Sequence, residues 1–138
     1  MSASQRAAAV SYGTSITMDL PFTAAVARVR AALQDQGFGV LTEIDVTATL
    51  RAKLGEQIED YVILGACNPP LARQALAVDR SIGLLLPCNV VIRATGAGTV
   101  VEALDPQVMV TLTGRPELKP VAGEAAARLA AALAALSS

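Results

Sequence analysis

The sequence predicts an α+β fold, a largely antiparallel β-sheet with two long helices on one face and short helices inserted in the connections. Several short segments carry an apolar residue at every second position, which is typical of a half-buried strand, and two longer segments carry apolar residues at helical spacing. These segments follow one another in the order strand, helix, four strands, helix. Two long helices on one face of such a sheet bury both apolar surfaces together.

The first strand and the first long helix have clear periodicity. Pro21 separates them, and Gly37 is a suitable C-terminal stop for the helix. The apolar face predicted for the helix comprises Phe22, Val26, Val29 and Leu33, and the face predicted for the strand comprises Val10, Tyr12, Thr14, Ile16 and Met18.

A second strand follows directly, because the apolar period returns to two after Gly37. Asp45 then predicts a short helix over residues 46–54, since its carboxylate can accept hydrogen bonds from amides of the first turn, and Gly55 ends that helix. The residues predicted to share one face of the strand are Phe38, Val40, Thr42 and Ile44.

The third strand and the helix after it meet at a strong local signal. Residues 61–66 form an uninterrupted apolar run, which is typical of a strand buried on both faces. Asn68 is a favoured N-cap, and Pro69 suits the first helical position because its missing amide hydrogen costs nothing there. We expect this helix to end near Val78.

The fourth and fifth strands are predicted over residues 84–92 and 99–104, with a turn at residues 96–98 between them. Pro87 cannot donate a hydrogen bond to a sheet, so it marks a strand start, an edge or a bulge. Asp105 and Pro106 then predict a short helix through Met109.

The last segment predicts a long C-terminal helix. It is rich in alanine, which has the highest intrinsic helix propensity. Its predicted apolar stripe comprises Val121, Ala125, Leu129, Ala132, Leu133 and Leu136.

Length and composition favour one domain over residues 1–138. Hydrophobic residues make up 53% of the 138 residues and charged residues 17%, enough apolar surface to offset the entropy of folding. The net charge of −1 with scattered Lys and Arg gives no basic stripe for nucleic acid. Met1–Ala9 has no continuous apolar segment and no later stretch is suited to spanning a bilayer. We therefore expect a soluble cytoplasmic protein that contacts neither nucleic acid nor membrane.

Three stretches of the sequence resemble one known family. They are Gln36–Val46, Tyr61–Ala72 and Gly83–Val91, and they are similar in content and order to the domain of unknown function 302 (DUF302) family of bacteria and archaea. The resemblance runs from about Met18 to Leu136. It implies a TATA-binding-protein-like (TBP-like) fold and a homodimer, and it implies no particular activity. Likeness of fold to a DNA-binding protein does not predict DNA binding here, because function depends on sites.

Cys67 and Cys88 are the most chemically suggestive residues. Each precedes an asparagine, and each lies in an apolar strand, so the two thiols can approach one another if the strands are neighbours. The unpaired amides of the helix after Cys67 would stabilise a thiolate there. Three interpretations stay open: two small buried apolar residues, a thiol-based redox pair, or a soft-metal site for copper or zinc.

Other polar residues extend this candidate site. Asn68 has a sufficient role as a helix cap, whereas Asn89 lies in a strand interior that disfavours asparagine unless its amide finds partners. Arg73 and Arg93 could bind an anion beside the free amides of the helix that begins at Pro69, although a solvated surface position is the commoner explanation for an arginine. Four carboxylates also flank strand ends, although their spacing fits no known ligand loop: Glu43, Asp45, Glu59 and Asp60.

The absence of histidine removes several classes of function. It excludes Ser-His and Cys-His catalysis and histidine-ligated zinc, and the turn at residues 96–98 is not a phosphate-binding loop because no helix follows it. The leading hypothesis is therefore a non-catalytic homodimeric protein with no cofactor and no dedicated metal site, which binds a small-molecule ligand or serves another protein. Its predicted ligand-binding residues are Cys67, Asn68, Pro69, Cys88 and Asn89. The alternative is the thiol-based redox or soft-metal protein.

Overall fold

A computed structural model describes residues 11–137 and contains one five-stranded sheet. Every neighbouring pair of strands is antiparallel, and the order across the sheet is β1-β5-β4-β3-β2. This confirms the predicted antiparallel α+β fold. The strands are β1 (Gly13–Met18), β2 (Gly39–Asp45), β3 (Tyr61–Cys67), β4 (Cys88–Thr95) and β5 (Gly98–Leu104).

Two long helices, α1 (Phe22–Asp35) and α5 (Lys119–Leu136), pack against each other and against one face of the sheet. All six residues of the stripe predicted for the C-terminal helix are buried. In α1 the core contacts come from Val29 and Leu33, with Phe22 and Val26 partly buried beside them. The sheet contributes every second residue of its inner strands, such as Leu64, Ile92 and Val101, which are fully buried.

A second hydrophobic cluster lies beside this main core. It is formed by α3 (Pro69–Val78), a 3-10 helix (Arg80–Leu85), α4 (Val108–Thr113) and the first half of α5. Because α5 contributes to both clusters, it joins them into a continuous interior. Among the described residues no helix is both long and apolar enough to cross a bilayer.

The predicted short helices are present, and the caps predicted at Asp45 and Asn68 are formed. In α2 (Val46–Leu54) the Asp45 side chain accepts from the amide of Ala48 at 2.9 Å, and Gly55 ends the helix in the left-handed conformation. A further 3-10 turn (Pro116–Leu118) precedes α5. Asp105 does not cap α4 itself, because its carboxylate accepts from the amide of Gln107 at the preceding turn.

The prediction for the second strand is wrong in one respect. A β-bulge between Val40 and Thr42 shifts the register of β2 against β3. Phe38 and Val40 therefore face the core, while Ile44 is turned to the opposite face, where it is 50% exposed. An extra residue in one strand reverses the alternation beyond it, and an apolar pattern of period two cannot reveal such an insertion.

Two other strand boundaries also differ from the prediction. The fourth strand begins at Cys88 because residues 80–85 form the 3-10 helix, in which Leu84 is 87% exposed. Pro87 lies just before the strand, consistent with its missing donor, and the Leu86–Pro87 peptide bond is cis. In the first strand Tyr12 lies in an exposed turn rather than on the buried face, and Val10 lies outside the described residues.

A glycine substitution tests the β4–β5 hairpin. Gly98 has a φ of 137°, and a Cβ atom there would lie 2.5 Å from the Met18 carbonyl oxygen, whereas Gly96 has nothing within 4 Å. We expect Gly98→Ala to lower the free energy of unfolding by about 1–3 kcal/mol. The matched Gly96→Ala should change it by less than about 0.5 kcal/mol. Urea denaturation measures both, and equal effects would contradict this account of the hairpin.

Candidate functional site

The pairing of β3 with β4 brings the two cysteines to one end of the sheet. Ala66 lies opposite Cys88, so Cys67 is one residue beyond the partner of Cys88. Both cysteines are free and both line a cavity of about 30 Å³. The remaining lining residues come from both hydrophobic clusters, so the cavity lies where the clusters meet: Phe38, Ala66, Asn68, Leu71, Ala72, Ala75, Leu86, Pro87, Met109, Val121 and Ala125.

The chemistry of this cavity is narrow. No charged side chain lines it, and apart from the sulfur-containing residues and Asn68 every lining residue is apolar. Its volume suffices for about one water-sized occupant, far below the roughly 300–1,000 Å³ of a typical metabolite pocket. The cavity is therefore suited to an ion or a very small ligand that sulfur recognises.

Asn68 is the N-cap of α3, as predicted. It is 5% exposed, and its Oδ1 accepts from the amide of Leu71 at 3.3 Å. Its Nδ2 lies beside Gly37, where a Cβ atom would approach within 3.1 Å, and Gly37 itself has a φ of +85°. The Asn68 amide thus joins the start of α3 to the turn that ends α1.

The start of α3 has no free amide with which to bind an anion. Pro69 and Pro70 carry no amide hydrogen, Leu71 donates to the Asn68 side chain, and Ala72 donates to the Asn68 carbonyl at 2.9 Å. The anion-binding hypothesis and the amide-stabilised thiolate at Cys67 therefore lose the donors on which they depended. Two consecutive prolines at the first two positions of a helix are the sequence signal for this outcome.

The other predicted site residues lie away from the cavity. Pro69 is exposed and does not line it. Asn89 is exposed on the opposite sheet face, where it lines a separate shallow groove with Tyr12 and Tyr61. Since successive side chains of a strand point to opposite faces, Cys88 and Asn89 cannot serve the same side of β4.

The two thiols differ in environment. Cys67 is partly exposed at the strand end, whereas Cys88 is buried. Burial raises the pKa of the Cys88 thiol, and the charge of nearby Cys67 raises it further. The Cys88 thiol is therefore harder to deprotonate than an ordinary cysteine thiol.

Met109 is a functional candidate that the sequence does not reveal. It lies in α4, is 4% exposed, and lines the same cavity as the two cysteines. The sequence predicts a short helix at Met109 but gives no spacing that relates it to Cys67 or Cys88. Met109 reaches the cavity only because α4 packs against α5 and against the 3-10 turn at Pro116–Leu118.

Three of the four predicted carboxylates, Glu43, Asp45 and Asp60, line a separate cavity of about 330 Å³. Glu43 is ion-paired with Arg30 on the surface, and Asp45 is engaged as the cap of α2. Over residues 11–137, no three His, Cys, Asp or Glu side chains are grouped so as to hold a metal ion. Arg93 pairs with Glu102 at 3.1 Å and is therefore not available near α3.

Comparison with known proteins identifies a family and a similar solved structure. Residues 14–136 match the family described as "Domain of unknown function DUF302". The chain is also similar to the crystal structure of an uncharacterized conserved DUF302 protein from Bacillus stearothermophilus. The two share 28% sequence identity and a TM-score of 0.86, over 92% of this chain and 99% of the other. No curated protein gives a significant match.

Alkylation tests the difference between the thiols. With iodoacetamide near neutral pH, we expect Cys67 to react faster than Cys88, because Cys67 is partly exposed, whereas Cys88 is buried and its burial disfavours the reactive thiolate. Mass spectrometry separates the two sites, since tryptic cleavage after Arg73 and Arg80 leaves them on different peptides. Denaturant should equalise the rates. Equal rates in the folded protein would contradict the burial of Cys88.

Proposed function

This chain belongs to the DUF302 family, and we propose that it is a non-catalytic binding protein that acts as a homodimer and holds a small ligand in the cavity beside Cys67 and Cys88. The observation that carries the proposal is the convergence of both cysteines and the capping Asn68 on one apolar cavity. Asn89 and Pro69, which the sequence assigns to the same site, are not included in the cavity.

The make-up of the cavity supports binding over catalysis. General acid-base chemistry needs a titratable group of suitable pKa within hydrogen-bonding reach of the substrate. The cavity lining contains no carboxylate and no basic side chain, and the raised pKa of Cys88 makes that thiol a weak nucleophile. A cavity lined in this way can hold a ligand without activating it.

The second candidate is a thiol-based redox or soft-metal function, and the lining of one cavity by both cysteines supports it. The β3–β4 register sets Cys88 opposite Ala66, so the side chain of the adjacent Cys67 leaves its strand on the other side. A disulfide needs Cβ atoms about 3.8 Å apart with converging directions, and one metal ion bound by both sulfurs needs converging side chains too. The register therefore favours neither form over the other, and the binding role stands first.

The homodimer is proposed to form through the sheet face that neither long helix covers, called here the open sheet face. Several of its apolar side chains are partly exposed. Their burial against a partner would be energetically favourable. The residues of this face are Ser15, Thr17, Thr42, Ile44, Tyr61, Ile63, Asn89, Val91, Arg93, Glu102 and Leu104.

Charge and area both suit a second copy of the chain. The charged side chains of the open sheet face are Arg93 and Glu102, which are paired with each other, so its burial leaves no unpaired charge. Five strands of this length cover about 500 Å² in projection. Because side chains make the surface uneven, its accessible area is larger than its projected area and is closer to the roughly 800 Å² per partner of a standard interface.

A substitution at the centre of the open sheet face tests the dimer. We expect the wild-type protein to sediment as a dimer and Val91→Lys to sediment as a monomer, because the interface would have to bury an added charge. The monomer should tolerate this lysine, since Glu102 lies opposite residue 91. Leu84→Lys, at an exposed position of the 3-10 helix, is the control and should leave the dimer intact. A wild-type monomer, or a Val91→Lys dimer, would reject the interface.

Thermal shift tests the cavity. A panel of monovalent and divalent cations and small neutral molecules should contain a ligand that stabilises the wild type, by about 2.7 kcal/mol at a hundredfold excess over its dissociation constant. Ala72→Leu, which adds side-chain volume at the cavity wall, should abolish that shift. Ala77→Leu on the exposed side of the same helix should retain it. A shift that survives Ala72→Leu would assign the ligand to another site.

A further inference from the structure

We propose that the larger cavity at the β2 edge of the sheet, called here the edge pocket, binds a small organic cation, an ammonium ion that carries a compact apolar group. Its walls are the N-terminal part of α1, the end of β2 and residues 60–62 at the start of β3. Its volume of about 330 Å³ lies in the range of small-molecule pockets, roughly 300–1,000 Å³. The inference is independent of the cavity beside the cysteines, which lies at the other end of β3.

The β-bulge in β2 directs two carboxylates into the edge pocket. Beyond the bulge, Glu43 is paired with the buried Leu64 of β3. Asp45 is paired in the same way with the buried Val62. Residues directly opposite each other in an antiparallel pair share one face of the sheet. Glu43 and Asp45 therefore face α1, whereas without the bulge Ile44 would take that side.

The edge pocket has an excess of negative charge. Arg30 and Glu43 form an ion pair at its wall, so their charges compensate each other. Asp45 and Asp60 also line the pocket, and over residues 11–137 neither has an ion-pair partner. One oxygen of Asp45 accepts from the Ala48 amide, which leaves the other able to accept from a ligand. A cleft lined by one sign of charge concentrates ions of the opposite sign, so the pocket favours a cation.

Asp60 is held at the pocket wall although its carboxylate makes no hydrogen bond or ion pair within the described residues. The Thr47 hydroxyl donates to the carbonyl of Glu59 at 2.7 Å and accepts from the amide of Tyr61 at 2.8 Å. The carbonyl of Asp60 itself accepts from the Ala94 amide at 2.9 Å. The backbone is thus fixed on both sides of Asp60 without a ligand, which lowers the entropic cost of binding one there.

The rest of the lining suits the apolar part of such a ligand. Phe22 and Val26 of α1 are partly buried, and Val62 is buried. Tyr61 lines the same pocket, so two of the four aromatic residues of the chain meet here. Aromatic rings offer apolar surface, and their faces also attract cations. The edge pocket therefore combines aromatic and aliphatic walls with unpaired carboxylates.

A metal ion is a poorer occupant than an organic cation. Calcium and magnesium need several oxygen ligands around one point, and over residues 11–137 the carboxylates are not grouped so as to hold a metal ion. A single ion would also leave most of the 330 Å³ unfilled. An ammonium ion needs only one or two carboxylates, and its apolar group occupies the remaining space.

Amide chemical shifts of the isotopically labelled full-length protein test the site without a variant. The probes are benzylammonium and n-hexylammonium, and their controls are benzyl alcohol and 1-hexanol, in which a neutral hydroxyl replaces the charge. We expect at least one ammonium probe to shift the amides of residues 22–30, 43–47 and 60–62. It should bind at least about fivefold more tightly than its alcohol, and salt should reduce that preference because it screens the charges.

Asp60→Asn is the matched variant, because it removes one unpaired charge without changing the size of the side chain. We expect it to weaken ammonium binding by about two- to fivefold, as for the loss of one exposed ion pair, and to leave alcohol binding unchanged. Asp35→Asn is the control, since Asp35 is also exposed but lies at the far end of α1 and does not line the pocket.

Three results would overturn the proposal: binding of neither ammonium probe, equal affinities for an ammonium probe and its alcohol, or equal effects of Asp60→Asn and Asp35→Asn. Shifts confined to the residues around Cys67 and Cys88 would also overturn it, because they would assign the cation to the other cavity. That outcome would leave the binding role of the cavity beside the cysteines standing, so the two proposals fail separately.

Discussion

The structure around the cavity depends on the close approach of β2, β3 and the Pro87 segment at Gly65. A Cβ atom at residue 65 would lie 2.3 Å from Thr42 Oγ1 and 2.9 Å from Pro87 Cγ. Glycine at this position therefore allows Pro87 to lie against β3 and lets the next residue, Cys88, begin β4 opposite Ala66. The shared position of the two cysteines follows from that register. A side chain at residue 65 would force these segments apart and disturb the pairing of β3 with β4.

The junction after β3 is fixed by a different device. Asn68 and the two prolines satisfy or remove every early amide of α3, so the helix can begin directly beside an apolar cavity without leaving a buried donor unpaired. A helix start with free amides would attract water or an anion. The same residues that start the helix therefore leave no free amide at the neighbouring cavity, which removes its capacity to bind an anion there.

Most of the fold was predictable because its signals are local. The apolar stripe of α5, the caps at Asp45 and Asn68, and the period of two in β3 depend on residues close in sequence. The bulge in β2 was not predictable, since an inserted residue reverses the facing of Ile44 without changing composition. The site was predictable in part, because Cys67 and Cys88 lie on consecutive strands that pair. Met109 was missed because tertiary packing alone brings α4 to the cavity. Asn89 was misassigned because it follows Cys88 in sequence but lies on the opposite face of the sheet.

The cavity beside the cysteines and the open sheet face share a boundary. Pro87 lines the cavity, and it also contacts the position of Gly65, whose missing side chain would point to the open sheet face. The cavity and the open sheet face therefore adjoin at Gly65 and Pro87. Both are free of unpaired charge, since the cavity has no charged lining residue and Arg93 is paired with Glu102. If both surfaces bind as proposed, their selectivity depends on the shape of the partner rather than on electrostatic attraction.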